Sequence, residues 1–336
     1  MSLVCSKTTL IYRVGLLGPI VLVATLAAGQ MAAPALLVLN KGENTMWIVD
    51  PMTTKVVGRV STGEAPHELT ISTDSKTAFV ANYGSEQPGR TISVIDLASQ
   101  KELRRVDLGP LRRPHGIVFA GGEVYFTAEA NSLIGRYDPV GNQIDWLLGT
   151  GQNLTHMLVL SKDGDKIFTA NIGSDSISMI EPGSDPHGWM ETVIGVGQGP
   201  EGIDISPDGK EVWTAHSRDG GVSIVEVATR KVIQTLSVNT KRANRLKFTP
   251  DGKLVLISDL DGGDLVVLNA PARKEIKRIK LGHMPEGILV TPDSSHAYVA
   301  VWGDNNVAVV DLKTLEVMKR IPTGSGPDGL AWVDSR

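Results

Sequence analysis

The stretch GQGPEGIDISPDGKEVWTAH, residues 197–216, decides the fold. It reads as a Gly-x-x-Pro turn, a short apolar strand, a Pro-Asp-Gly turn and a second strand ending in small and polar residues. The same phrase returns as GEAPHELTIS at 63–72, GHMPEGILVTPD at 282–293 and GSGPDGLAWV at 324–333, with looser copies beginning at Pro114, His156 and Asn244. Seven equivalent strands therefore open at His67, His115, His156, Glu201, Asn244, Glu286 and Asp328, at spacings of 48, 41, 45, 43, 42 and 42 residues. A fixed period of this length is the signature of a repeat architecture.

The remainder of each unit is as regular. Second strands end in FVANYG at 79–84, IFTANIG at 167–173 and VWTAHS at 212–217. Third strands alternate β-branched residues into an acidic one, as in TISVID at 91–96, VSIVE at 222–226 and VAVVD at 307–311. Fourth strands open at Lys55, Lys101, Lys231, Lys274 and Glu316. Four short strands with turn signals between them make one blade of a β-propeller. The N-terminal part supplies only later strands, ALLVLN at 35–40, MWIVD at 46–50 and KVVGRV at 55–60, while the C-terminus supplies a lone first strand, DGLAWV at 328–333. Pairing them completes a blade and leaves no open sheet edge. The sequence thus predicts an all-β fold, a seven-bladed β-propeller closed by its N- and C-terminal strands.

Composition agrees. The 336 residues are 41% hydrophobic and 21% charged, enough for a real core, and the 36 glycines exceed the usual share, as many tight turns require. Net charge is −4 with no long basic run, which argues against a nucleic-acid partner. Lys7 and Arg13 precede an uncharged apolar run from Val14 to Gly29, and Ala27, Ala28 and Gly29 form a small-residue cleavage site. At 16 residues the run is shorter than a spanning helix needs. Residues 1–29 are read as a signal peptide, with an uncleaved anchor as the alternative, and 30–336 as one propeller domain, periplasmic or secreted, with no integral membrane domain after cleavage. Cleavage removes Cys5, the single cysteine, so a disulfide, a Cys-based zinc site and covalent c-type haem are all excluded.

The phrases FVANYG, TISVID, KVVGRVSTG and GPEGIDISPDGKEVWTAH resemble the YVTN-type repeats of YncE-like seven-bladed propellers, over about residues 35–334. The blade RPHGIVFAGGEVYFTAEANSLIGRYDP is similar to repeats of streptogramin-lyase and gluconolactonase-like propellers, and that resemblance implies a metal-dependent enzyme. Similar repeats also occur in haem d1-related propellers, where a rim histidine contacts the tetrapyrrole. A repeat of this kind specifies a fold more strongly than a function.

Chemistry is expected on one rim of the channel, where two circles of residues gather. The first is the set of strand-opening residues, and the second is Asn40, Asn82, Glu129, Asn171, His216, Asp259 and Val301. Imidazoles and carboxylates are ordinary ligands of a divalent metal in a thiol-free protein. His67, His115 and His156, on consecutive blades, are the candidate metal ligands, and Glu129 and Glu201 the candidate catalytic carboxylates. Asn82, Arg113, Asn171, His216, Arg242, Asp259 and Glu286 are the candidate ligand-binding residues. The competing reading is structural, because strand parity points the opening residues along the blade-to-blade seams. Arg112, Arg113, Lys241, Arg242 and Arg245 are read either as solvated loop charges or as groups that neutralise an anionic ligand.

Two functions follow. One is an exported binding platform holding a small molecule, metal or protein at the His/Glu/Asn-rich mouth. The other is a metal-dependent lactonase or lyase using the same rim.

Overall fold

The structure is a computed structural model that describes residues 1–2, 34–185 and 188–334. The leader read over residues 1–29 lies outside the described residues apart from its first two. Seven four-stranded antiparallel sheets form the molecule. We number the blades from the first complete one, whose innermost strand is Pro66–Ile71. The inner strands of blades 2 to 6 are Pro114–Ala120, Thr155–Leu160, Pro200–Ile205, Ala243–Phe248 and Pro285–Val290. Blade 7 is composite: the C-terminal strand Pro327–Val333 is innermost and pairs with Ala35–Asn40, with Leu36 opposite Trp332 and Val38 opposite Leu330. The predicted closure is therefore present.

Local chemistry explains the regularity. In the Pro-Asp-Gly turn of blade 4, Asp208 accepts from the Ser206 hydroxyl at 2.7 Å and from the Lys210 N–H at 3.1 Å. Gly209 supplies the left-handed step, φ +72°. Blade 5 repeats the turn with Thr249, Asp251, Gly252 and Lys253.

Each seam between neighbouring blades holds its own apolar cluster. Leu37, Ile48, Leu69 and Val80 join blades 7 and 1, and Trp213, Ile224, Leu246 and Val255 join blades 4 and 5. Burying one such aliphatic side chain contributes about 1.5–3 kcal/mol, so the seams hold the ring together. The outer strands face solvent, alternating in Gln143–Gly149 and exposed almost throughout in Lys231–Ser237. Among the described residues no helix is long and apolar enough to cross a membrane.

Candidate functional site

Every inner strand breaks register where it leaves the mouth. The break falls between Pro66 and Glu68, Pro114 and Ile117, Thr155 and Leu158, and Pro200 and Gly202. It recurs between Ala243 and Leu246, between Pro285 and Ile288, and opposite Val38 and Asn40. A bulge re-aims the residue inside it, and here that residue is the strand-opening one. These side chains reach across the seams and meet their neighbours around the mouth.

One arc of the ring is made of imidazoles. The His67 and His115 ring centroids lie 4.9 Å apart, and those of His115 and His156 lie 3.7 Å apart. His67 Nδ1–H donates to Asp328 Oδ2 at 2.8 Å, and His156 Nδ1–H donates to Glu129 Oε2 at 2.6 Å. That tautomer leaves each Nε2 with a free lone pair. Burial pushes His67 down to about 4 in spite of Asp328. His115 is held well below its ordinary value by burial and by His156 beside it. Two nitrogens of this arc, His115 Nδ1 and His156 Nε2, are buried without any hydrogen-bond partner.

The other arc is acidic. Asn244 Nδ2 donates to Glu201 Oε1 at 2.8 Å, and Lys41 Nζ reaches Asp328 at 3.5 Å and Glu286 at 3.7 Å. Burial opposes ionisation of Asp328, but Lys41, His67 and Arg245 hold it well below the usual carboxylate range. Glu286 is pushed the other way, up to about 9, by burial and by Asp328. The two carboxyls thus differ in charge because one has the cations and the other has the first carboxylate.

The second circle separates from the first. Asn82 accepts from Gly63 N–H at 3.0 Å and donates to Thr91 and Ser93, both at 3.0 Å. Asn171 donates to Ser176 and Ser178 in its own blade, and His216 Nδ1 pairs with Asp219 at 2.8 Å. Asp259 accepts from the N–H groups of Lys241, Arg242 and Gly262, so it shapes the loop that carries the exposed Arg242. These side chains are buried and bonded inside their blades. Glu129 is the exception. It sits in the 3-10 turn Glu129–Asn131 and reaches the imidazole arc. Burial opposes its ionisation, yet the hydrogen bonds from His156 and Tyr83 hold its carboxyl below the ordinary value.

Three participants were absent from the sequence reading. Tyr83 donates to Glu129 Oε1 at 2.7 Å and lies edge-on to His67, ring centroids 4.4 Å apart, while the Arg113 guanidinium sits 4.5 Å over its ring. Its only signal was an aromatic where the equivalent phrases carry Ile172 and Ser217. Lys41 follows Asn40 and carries no motif. The third is Glu68, which pairs with Arg245 from blade 5 at 2.6 Å. Arg245 is 4% exposed, so it is a buried ion-pair partner rather than a solvated loop charge.

Imidazole and carboxylate donors suit a divalent transition metal in kind. In position they stack side by side: among the described residues no three His, Asp or Glu side chains form a group that could hold an ion.

Comparison with known proteins places the fold. Antigen Lp49 of Leptospira interrogans is 25% identical over 187 residues, 49% of this chain and 40% of its own length. Hydrazine synthase subunit beta of Kuenenia stuttgartiensis is 32% identical over 183 residues, 39% of this chain and 47% of that protein. The chain thus spans less than half the length of these relatives. The periplasmic gluconolactonase PpgL of Pseudomonas aeruginosa has the same fold, with a TM-score of 0.74 at 19% identity over 89% of this chain and 99% of that one. The model of one family, described as YNCE-like beta-propeller, matches residues 2–195. With seven blades, a ring closed by both termini and that match, the chain belongs to the YNCE-like β-propeller family.

Proposed function

We propose that this propeller is an exported binding protein that holds a small polar ligand at the channel mouth against His67, His115 and His156. The observation that carries the reading is the pair of buried, unpartnered nitrogens, His115 Nδ1 and His156 Nε2. A buried polar atom without a partner costs about 1–3 kcal/mol, and a ligand that bonds to it removes that cost. Glu129 and Asp328 fix the flanking imidazoles, so the ligand meets a preset tautomer. The test is native mass spectrometry of the purified mature protein for a co-purifying small molecule. Its retention by wild type and loss from His115→Ala and His156→Ala are expected. Retention by both variants would place the ligand elsewhere.

A metal-dependent lactonase or lyase is the second reading, and the Glu129–His156 bond favours it. A carboxylate on Nδ1 is the usual way a metal-ligating imidazole is oriented. To hold an ion His67, His115 and His156 would have to turn out of their present side-by-side stack, since among the described residues no three donors converge as they stand. Glu129 would orient His156, and Glu201 is the other candidate carboxylate. What a divalent ion would supply, were one held there, is Lewis-acid polarisation of an ester carbonyl. Metal analysis of protein prepared without chelators, with a δ-gluconolactone hydrolysis assay, decides between the readings. Absence of both metal and hydrolysis removes the enzyme.

A further inference from the structure

On the far side of the histidine ring the central channel widens into a cavity of ≈ 480 Å³. Every blade but the fourth contributes its inner strand to the wall, which is largely hydrocarbon: Ile71, Met157, Phe248, Val290 and Trp332. Glu68 and Arg245, each one residue past the ring on its strand, line the same cavity and pair with each other there. Several hundred cubic ångströms of apolar wall with a few convergent polar groups is how small-molecule sites are built.

The head group that fits follows from what this floor leaves open. Each nitrogen of the Arg245 guanidinium has a partner: Nε and Nη2 donate to Glu68 Oε1 at 2.8 and 2.6 Å, and Nη1 donates to Asn244 Oδ1 at 3.0 Å. Glu68 receives both bonds on one oxygen, and its side chain keeps 16% of its surface open. Burial raises its carboxyl against the pull of Arg245. Around the guanidinium stand Glu68, Glu201, Asp328 and the protonated Glu286, and the bases that act on them are Arg245, Lys41 and Lys247. Lys247, also on the wall, has its own partner in Asp204 at 3.7 Å. An anionic head at this floor would have to displace Glu68 from Arg245. A cationic head adds to Glu68 and breaks nothing.

We infer that this cavity, at the opposite end of the channel from the histidine arc, binds an amphiphile with a hydrocarbon body and an ammonium head, the head ion-paired to Glu68. The inference stands independently of what the mouth binds.

Isothermal titration of the full mature chain with n-octylammonium, n-octanoate and n-octanol at neutral pH tests it. Saturable one-to-one binding of the amine, at least tenfold tighter than octanoate, is expected. Glu68→Gln should bring the amine to the level of the alcohol, while Glu68→Asp keeps part of the preference. Val290→Trp, which fills the cavity from the wall without touching the ion pair, should abolish binding of all three. Octanoate binding as tightly as the amine, or no saturable amine binding to wild type, overturns the inference. So does full amine affinity in a folded Val290→Trp, which also covers the case in which Glu68→Gln does not fold.

Discussion

The two ends of the channel are made from consecutive residues of the same strands, yet they differ completely. At the mouth, imidazoles, carboxylates and an amide touch one another around the ring. A few residues along the same strands, Ile71, Val290 and Trp332 line an open hydrocarbon cavity. The boundary is a single slot, the residue just after each opening residue. Four blades fill it with Gly116, Gly202, Gly287 and Gly329, and the other three with Glu68, Met157 and Arg245. The glycines let neighbouring inner strands pack backbone to backbone, and the Glu68–Arg245 pair crosses the channel where they do. One slot therefore does two jobs: it sets how close the blades come, and it divides the channel.

The largest effect is expected from removing that division. Arg245→Met leaves Glu68 without its buried partner, and breaking one side of a buried pair costs about 3–5 kcal/mol. Urea unfolding should show this loss, with much of it restored in Glu68→Gln/Arg245→Met, where the nearest uncompensated carboxylate is gone. A double variant as unstable as the single would mean that packing, and not charge, separates the two ends.

The glycine half of the slot gives the next effect. A Cβ on Gly202 would lie 2.6 Å from the Leu246 amide nitrogen of the next blade, whereas one on Gly195 meets nothing within 4 Å. Gly202→Ala should cost about 1–3 kcal/mol by overpacking, and Gly195→Ala should be close to neutral. Equal unfolding midpoints for the two would remove the argument that this slot sets blade spacing.

How much of this was legible depends on how far apart the partners lie. The blades, the closure and the membership of the mouth ring were readable, because the period puts one residue of each blade into one place. The bulge that aims His115 or Glu201 was not, since alternation along a strand assumes an unbroken register. Asn82 and Asn171 were placed at the rim, but the bonds their amides make inside their own blades were not readable. Their partners Ser93 and Ser178 sit on the adjacent strand of the same blade, and nothing in the phrase FVANYG states that the amide turns toward it. The Glu68–Arg245 pair spans 177 residues, and its only trace was a glycine slot holding two opposite charges in different blades. Periodicity reports slots; it does not report which slots face one another across a closed ring.

A smaller effect, confined to the mouth, is set by pH. Glu286 is raised from 4.5 to about 9, so across that interval the folded chain keeps a proton that the unfolded chain has released. Its contribution is complete below 4.5 and declines as pH rises. His67 is lowered from 6.5 to about 4, so its contribution is complete above 6.5 and is lost as pH falls toward 4. The two oppose each other between 4.5 and 6.5, and above 6.5 only Glu286 of this pair acts. Stability should therefore fall from pH 6.5 toward 9 in wild type, and Glu286→Gln, which mimics the protonated acid, should flatten that limb. An unchanged limb in the variant would assign the dependence to another group.

The smallest effect tests whether the imidazole arc is held from above. Tyr83→Phe removes the hydroxyl that donates to Glu129 Oε1 at 2.7 Å and keeps the ring edge-on to His67. Tyr83 is half-buried, so water can take over part of the lost bond, and the expected cost is about 1 kcal/mol. The carboxyl of Glu129 loses one of the two side-chain donors that hold it down, while His156 keeps its Nδ1 bond. A thermal unfolding series should show that small loss, with ligand capture at the mouth weakened rather than abolished. A loss as large as that of Arg245→Met would instead make Tyr83 a structural member of the ring, on a par with the ion pair that divides the channel.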